Sequence, residues 1–126
     1  MPILHVRGLP QKYPGRIQTA LTETCVAIAA LYGCKPEHVW ATWEDLKPGH
    51  YVEGHNSAST QPQETHPPIA QLICFEGRTS EEIEKLLQAA AKALSSGLGI
   101  PGNIFITFTE AKSGQVVAGD GILRKK

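Results

Sequence analysis

The chain opens Met1-Pro2-Ile3, and its second residue is the first place to look for chemistry. A small residue after Met1 permits removal of that methionine, and Pro2 then changes from a non-basic amide into a secondary amine that titrates. An α-amino group titrates near about 7.7 to 8.0 in peptides, a proline amine somewhat higher. An apolar or cationic pocket lowers the value by disfavouring the ammonium form. Such a base can take a proton from beside a carbonyl and return it elsewhere on a conjugated system, which is tautomerisation by general acid-base catalysis. Met-Pro alone is ordinary N-terminal sequence, so its weight depends on what surrounds it.

The other reactive residue types form no competing pattern. Cys25, Cys34 and Cys74 are an odd set without a C-x-x-C pair, which argues for reduced packing residues rather than a disulfide framework or a metal knuckle. His50 and His55 flank a turn, His66 lies in a polar stretch, and no H-E-x-x-H pattern occurs, so no metal is expected. Twelve Lys and Arg balance 12 Asp and Glu without a basic run, which makes nucleic acid an unfavoured partner. No apolar segment approaches the roughly 18 residues of a membrane span, and MPILHVRGLP lacks the apolar core of a secretion signal. A soluble, cytoplasmic protein is expected, and 126 residues suit one domain with one core.

The elements that must position Pro2 are arranged as an internal repeat. At an offset of 66, Pro2-Ile3 matches Pro68-Ile69, Ile17 matches Ile83, Leu21 matches Leu87 and Ile28 matches Leu94. At an offset of 65, Pro36 matches Pro101, Val39 matches Ile104, Asp45 matches Glu110, Gly49 matches Gly114 and Gly54 matches Gly119. One residue has been lost between helix and second strand. The units are 1–54 and 68–126, joined by the polar, proline-bearing connector 55–67.

Each unit reads strand, amphipathic helix, long strand, Gly-containing turn and short return. The helix stripes are Ile17, Leu21, Thr24, Ile28 and Leu31 in the first unit, and Ile83, Leu86, Leu87, Ala90 and Leu94 in the second. Thr79 with Glu82 three residues later has the capping-box pattern, and Pro36 and Pro101 follow the helix ends. Strand-helix-strand connections favour parallel pairing with a right-handed crossover. The expected fold is α+β, with β-α-β units of α/β type: two tandem β-α-β-β repeats form a four-stranded sheet with two helices on one face. The other face, expected to carry Val, Ile, Phe and Trp, calls for burial by self-association.

PIAQLICFEGRTSEEIEKL, from Pro68 onward, closely resembles the opening of a 4-oxalocrotonate tautomerase subunit. MPILHV has the same look. Two such units in one chain resemble the fused members of the tautomerase superfamily, such as cis-3-chloroacrylic acid dehalogenase, malonate semialdehyde decarboxylase and macrophage migration inhibitory factor. The resemblance spans nearly the whole chain. It implies a homotrimer of doubled chains, an active site at Pro2, and no cofactor or metal. Pro68 follows Pro67 in an unbroken chain, so its nitrogen has no basic lone pair and its role is structural.

The resemblance also nominates the residues around Pro2. The fused relatives carry arginines in an R-E-G-R-S-like segment that reads Phe75-Glu76-Gly77-Arg78-Thr79 here. Arg78 thus matches a substrate-carboxylate arginine able to bind an acid bidentately. Phe75 replaces the second arginine and implies a more apolar pocket. Trp40 and Phe105 stand where the single-unit enzymes carry an arginine; Phe105 and Thr107 are candidate pocket walls, with sheet-face packing at a subunit interface an equal alternative. The water-activating glutamate of the dehalogenases falls at Ala118, with Asp120 in reach only after hairpin slippage. Glu53, its counterpart in the first unit, reads as a solvated hairpin residue.

Three functions follow in order. The first is a tautomerase or isomerase acting on small unsaturated, carboxylated 2-oxo or 2-hydroxy acids. The second is a hydratase, dehalogenase or decarboxylase of the kind that acts on acrylate-like acids. The third is a non-catalytic binding protein resembling macrophage migration inhibitory factor, since fold alone does not establish function.

Overall fold

The computed structural model of the chain describes residues 1–125. In order, the elements are β1 (Ile3–Gly8), α1 (Gly15–Tyr32), a 3-10 turn (Pro36–His38), β2 (Trp40–Asp45), and a small hairpin of β3 (Val52–Glu53) and β4 (Asn56–Ser57). The second unit supplies β5 (Ile69–Phe75), α2 (Ser80–Gly97), β6 (Phe105–Ala111), and a hairpin of β7 (Val116–Val117) and β8 (Leu123–Arg124). The first hairpin reaches into the expected connector, because Asn56 and Ser57 form its return strand.

One mixed sheet has the order β2-β1-β5-β6. The outer pairs β1/β2 and β5/β6 are parallel, as the crossover rule requires, and the two units meet through antiparallel β1 and β5. The repeat is reproduced down to the register. Ile3 pairs with Trp40 as Ile69 pairs with Phe105. The Trp40 N–H donates to Pro2 O at 3.0 Å, and the Phe105 N–H donates to Pro68 O at 3.0 Å. Each unit thus begins its sheet on a proline carbonyl, which fixes both proline backbones at opposite ends of the central strand pair.

Helix α2 starts as the sequence predicts. Thr79 Oγ1 accepts from the Glu82 N–H while the Glu82 carboxylate accepts from the Thr79 N–H, satisfying two orphan donors at once. Helix α1 lacks a side-chain cap and stops at Gly33, whose φ of 85° is open to glycine at little cost. Its stripe buries Thr24 and Ile28, but Leu31 is exposed. The position one turn after Ile28 is taken instead by Tyr32, half-buried under the Arg78 guanidinium.

Both helices cover the face carrying Leu4, Val6, Ala70, Leu72 and Cys74, which pack with Ala20, Ile28, Leu86, Ala90 and Leu94 in one core. The helices approach closely at Gly97, where a β-carbon would lie 2.8 Å from Ala20 Cβ and 2.9 Å from Ala20 Cα. Thr24, buried among these residues, returns its hydroxyl to Ala20 O at 2.7 Å.

The other face is less uniformly apolar than expected, and no valine contributes to it. Strand alternation places Ile3, Trp40, Ile73 and Phe75 at one end and Ile69 and Phe105 at the other. Between them lies a polar band in which His5 Nδ1 and Thr42 Oγ1 are 2.6 Å apart and Gln71 Nε2 donates to Thr109 Oγ1 at 2.9 Å. Trp40 and Phe105 are 42% and 51% exposed, so the uncovered apolar surface sits at the ends of the face. Among the described residues no helix is long and apolar enough to cross a membrane.

Candidate active site

The Pro2 end of the sheet opens into a groove of about 780 Å³. Met1, Ile3, Trp40, Ile73, Phe75 and Ala111 contribute from the sheet, Tyr32 and His38 from the end of α1 and the turn that follows, and Val116–Asp120 with Arg124 and Lys125 from the second hairpin. The hairpin sits directly on Trp40: a β-carbon at Gly119 would lie 2.8 Å from Trp40 Cη2. The Pro2 side chain is fully buried and Met1 is 37% exposed. Met1 therefore occupies groove space that its removal vacates, next to the proline nitrogen.

Positive charge gathers at this end. Cys74 lies beneath it on the inner face, and burial pushes its thiol up from 9.0 to about 11, against the opposing pull of the chain's terminal amine and Arg78. The thiol is therefore protonated at neutral pH and packs as an apolar group. A folded state that resists thiolate formation binds more protons than the unfolded chain above pH 9.0, so stability falls as pH rises from there toward about 11. Denaturation midpoints measured across that window are expected to fall less steeply for Cys74→Ala than for the parent.

The nominated residues divide. Phe75 lines the groove, as Met1 does. Arg78 stands one step behind the wall: its guanidinium lies 3.7 Å from the Tyr32 ring centroid, Nη2 donates to Tyr32 O at 3.0 Å, and Nη1 is 3.4 Å from Glu82 Oε2. Glu82 is held below the usual carboxylate range by its Thr79 hydrogen bonds and then by Arg78, so this partner is an anion at neutral pH. Within one chain, Phe105 and Thr107 are apart from Pro2. Phe105 pairs with Ile69 at the opposite end of β5, and Thr107 lines a small depression with His5, Arg7 and Gln71 in the polar band.

The second hairpin brings charged side chains into the groove. Asp120 lines the groove without any slippage, and Arg124 lies beside it. Arg124 Nη2 donates to Asp120 Oδ2 at 2.6 Å, and the Ile122 N–H donates to Asp120 Oδ1 at 3.0 Å. These contacts, the Arg124 bond foremost, lower the Asp120 pKa. The residue 65 positions before Arg124 is Ser59, so the first unit holds no counterpart that would have drawn notice to it.

The Pro68 end is closed instead of open. Glu53 is not a free hairpin carboxylate, since its Oε2 accepts the His66 N–H at 3.0 Å. His66, 3% exposed and at φ 49°, turns inward so that Nε2 lies 2.9 Å from Asn56 O. Tyr51 packs edge-on against that ring and donates to Pro67 O at 2.7 Å. The connector and first hairpin thus seal the end where no amine exists.

Comparison with solved structures accounts for this architecture. A wild-type fused 4-OT symmetric trimer aligns with TM-score 0.80 at 16% identity, covering 96% of this chain and 94% of that one. The chain has the fold of the fused 4-OT proteins. A protein inactivated by 2-oxo-3-pentynoate aligns over the same shares with TM-score 0.81 at 18% identity. Malonate semialdehyde decarboxylase, described with decarboxylase and hydratase activities, aligns with TM-score 0.74 at 16% identity over 96% of this chain and 93% of its own. The shared fold alone does not fix a reaction. No protein-family model and no curated protein matches the chain.

Proposed function

We propose that the chain, once Met1 is removed, is a proline-based tautomerase of small unsaturated 2-oxo or 2-hydroxy acids, assembled as a homotrimer. The observation that carries this reading is the position of Met1, whose removal would leave a secondary amine facing an apolar groove. The amine takes a proton from the enol form of the substrate and returns it to carbon, ending as it began. Phe75, Trp40 and Ile73 limit water around the reacting atoms. Apolar neighbours of this kind disfavour the ammonium form of an amine.

Hydration would require a carboxylate base to activate water. Asp120 stands in the groove, but Arg124 and the Ile122 N–H lower its pKa and so reduce its basicity. Tautomerisation needs no such group and is favoured for that reason.

The trimer has two supports: the apolar ends of the open sheet face and the trimeric state of the fused 4-OT structure that shares the fold. In a ring of such chains a neighbour's Phe105 end could complete the groove, which would reunite Phe105 and Thr107 with Pro2.

Intact-mass analysis with sedimentation tests both parts. The purified protein is expected to lack Met1, to sediment as three copies of the 13.6 kDa chain, and to ketonise phenylpyruvate enol. Retained Met1 with full activity would contradict the mechanism, and a monomer would contradict the assembly.

A further inference from the structure

We infer that Arg124, rather than Arg78, receives the substrate carboxylate, an inference that rests on the groove at Pro2 being the substrate site. The two guanidiniums are in different situations. Arg78 is stacked on Tyr32, bonded to the Tyr32 carbonyl and paired with an ionised Glu82, so one face and both terminal nitrogens are engaged, and it is not among the residues that line the groove. Turning it into the groove would break these contacts together.

Arg124 already lines the groove. Its contact with Asp120 engages Nη2, and a guanidinium carries five N–H donors in a planar fork. The remaining donors suit a carboxylate. The charge around it has the required sign: among the described residues, Arg124 and Lys125 contribute two cations to the groove against the single carboxylate of Asp120. Asp120 acts as a positioning residue, since its 2.6 Å bond steadies the guanidinium while the Ile122 N–H fixes its other oxygen.

This assigns the groove to monoanionic acids whose carboxylate points toward the second hairpin and whose unsaturated end lies at Pro2. The C-terminal hairpin then does more than cover Trp40, because it carries the group that selects acids over neutral carbonyl compounds.

Calorimetric titration of the Met1-free protein with 3-phenylpropanoate and with 3-phenylpropanamide tests the assignment. Neither ligand has an enol proton to move, so the readout is independent of Pro2 catalysis. The parent is expected to bind the anion about 10- to 100-fold more tightly than the amide, the range given by a hydrogen bond between charged groups. Arg124→Ala should abolish that preference with the amide affinity unchanged, and Arg124→Lys should restore part of it, which a mere folding defect would not. Absence of preference in the parent, or its loss in Arg78→Ala with retention in Arg124→Ala, would overturn the assignment. A protein that selects the anion through Arg124 yet shows no tautomerase activity would refute the Pro2 reading alone.

Discussion

A protein whose Pro2 nitrogen is kept in an amide, by an N-terminal extension that is not removed, is expected to lose about 10²- to 10⁴-fold in kcat/KM for phenylpyruvate enol, the contribution of a positioned general base. The extension removes the basic lone pair and leaves the sheet unchanged, because the anchoring bond from the Trp40 N–H goes to Pro2 O and not to its nitrogen. Pro2→Ala should fall between the parent and the blocked form. It keeps an amine and an open groove, but the amine is primary and no longer held by a ring. Steady-state assays on folded, trimeric samples check the order. A blocked form as active as the parent would move the base elsewhere, and Asp120, the one carboxylate among the described groove residues, would be the next candidate despite its lowered pKa.

The largest effect on stability is expected at Leu94, fully buried on α2 between the sheet and α1. Leu94→Ala deletes buried carbon and leaves a cavity that neighbours on the sheet fill only partly, at a cost of about 2–5 kcal/mol. Against a total stability of about 5–15 kcal/mol this is a large fraction, and the urea midpoint should drop accordingly with the slope unchanged. A loss below about 1 kcal/mol would mean that the core around Leu94 collapses to close the gap. The same substitution at Leu31, exposed on α1, is expected to have little effect.

Leu31 also marks a boundary of what sequence periodicity can say. A 3.6-residue period after Ile28 allows either Leu31 or Tyr32 to face inward, and the contact that decides, Arg78 on the Tyr32 ring, comes from the other repeat. Features set within one segment were legible: the Thr79–Glu82 capping box, both helices, and the change of offset that gives Trp40 and Phe105 equivalent places on β2 and β6. The doubled unit was legible because each half must build the same strand-helix-strand crossover.

Features set between segments were not. His66 reads as one more polar connector residue, and only the folded hairpin brings Glu53 and Asn56 to it. The polar band on the open face depends on register, since His5 and Thr42 meet across β1 and β2 while 37 residues apart in sequence. At the site, the base proposed at Pro2 and the apolar character given by Phe75 are both matters of residue type. Arg124 is not legible in that way, because it lies beyond the repeat's matched positions and reaches the groove only through the turn at Gly121. Arg78 illustrates the converse: a motif match fixes a position along the chain, whereas the partners of that position decide whether its charge is free for a ligand.

The proposed base is tested most directly by treating the protein with 2-oxo-3-pentynoate, an electrophilic alkyne that a free secondary amine attacks by addition, and mapping the product by peptide mass spectrometry. The account predicts one adduct per chain, with the mass of the whole reagent, on the peptide beginning at Pro2 and in proportion to lost activity. Inactivation with an unmodified Pro2 peptide, or full labelling of Pro2 with activity retained, would contradict it.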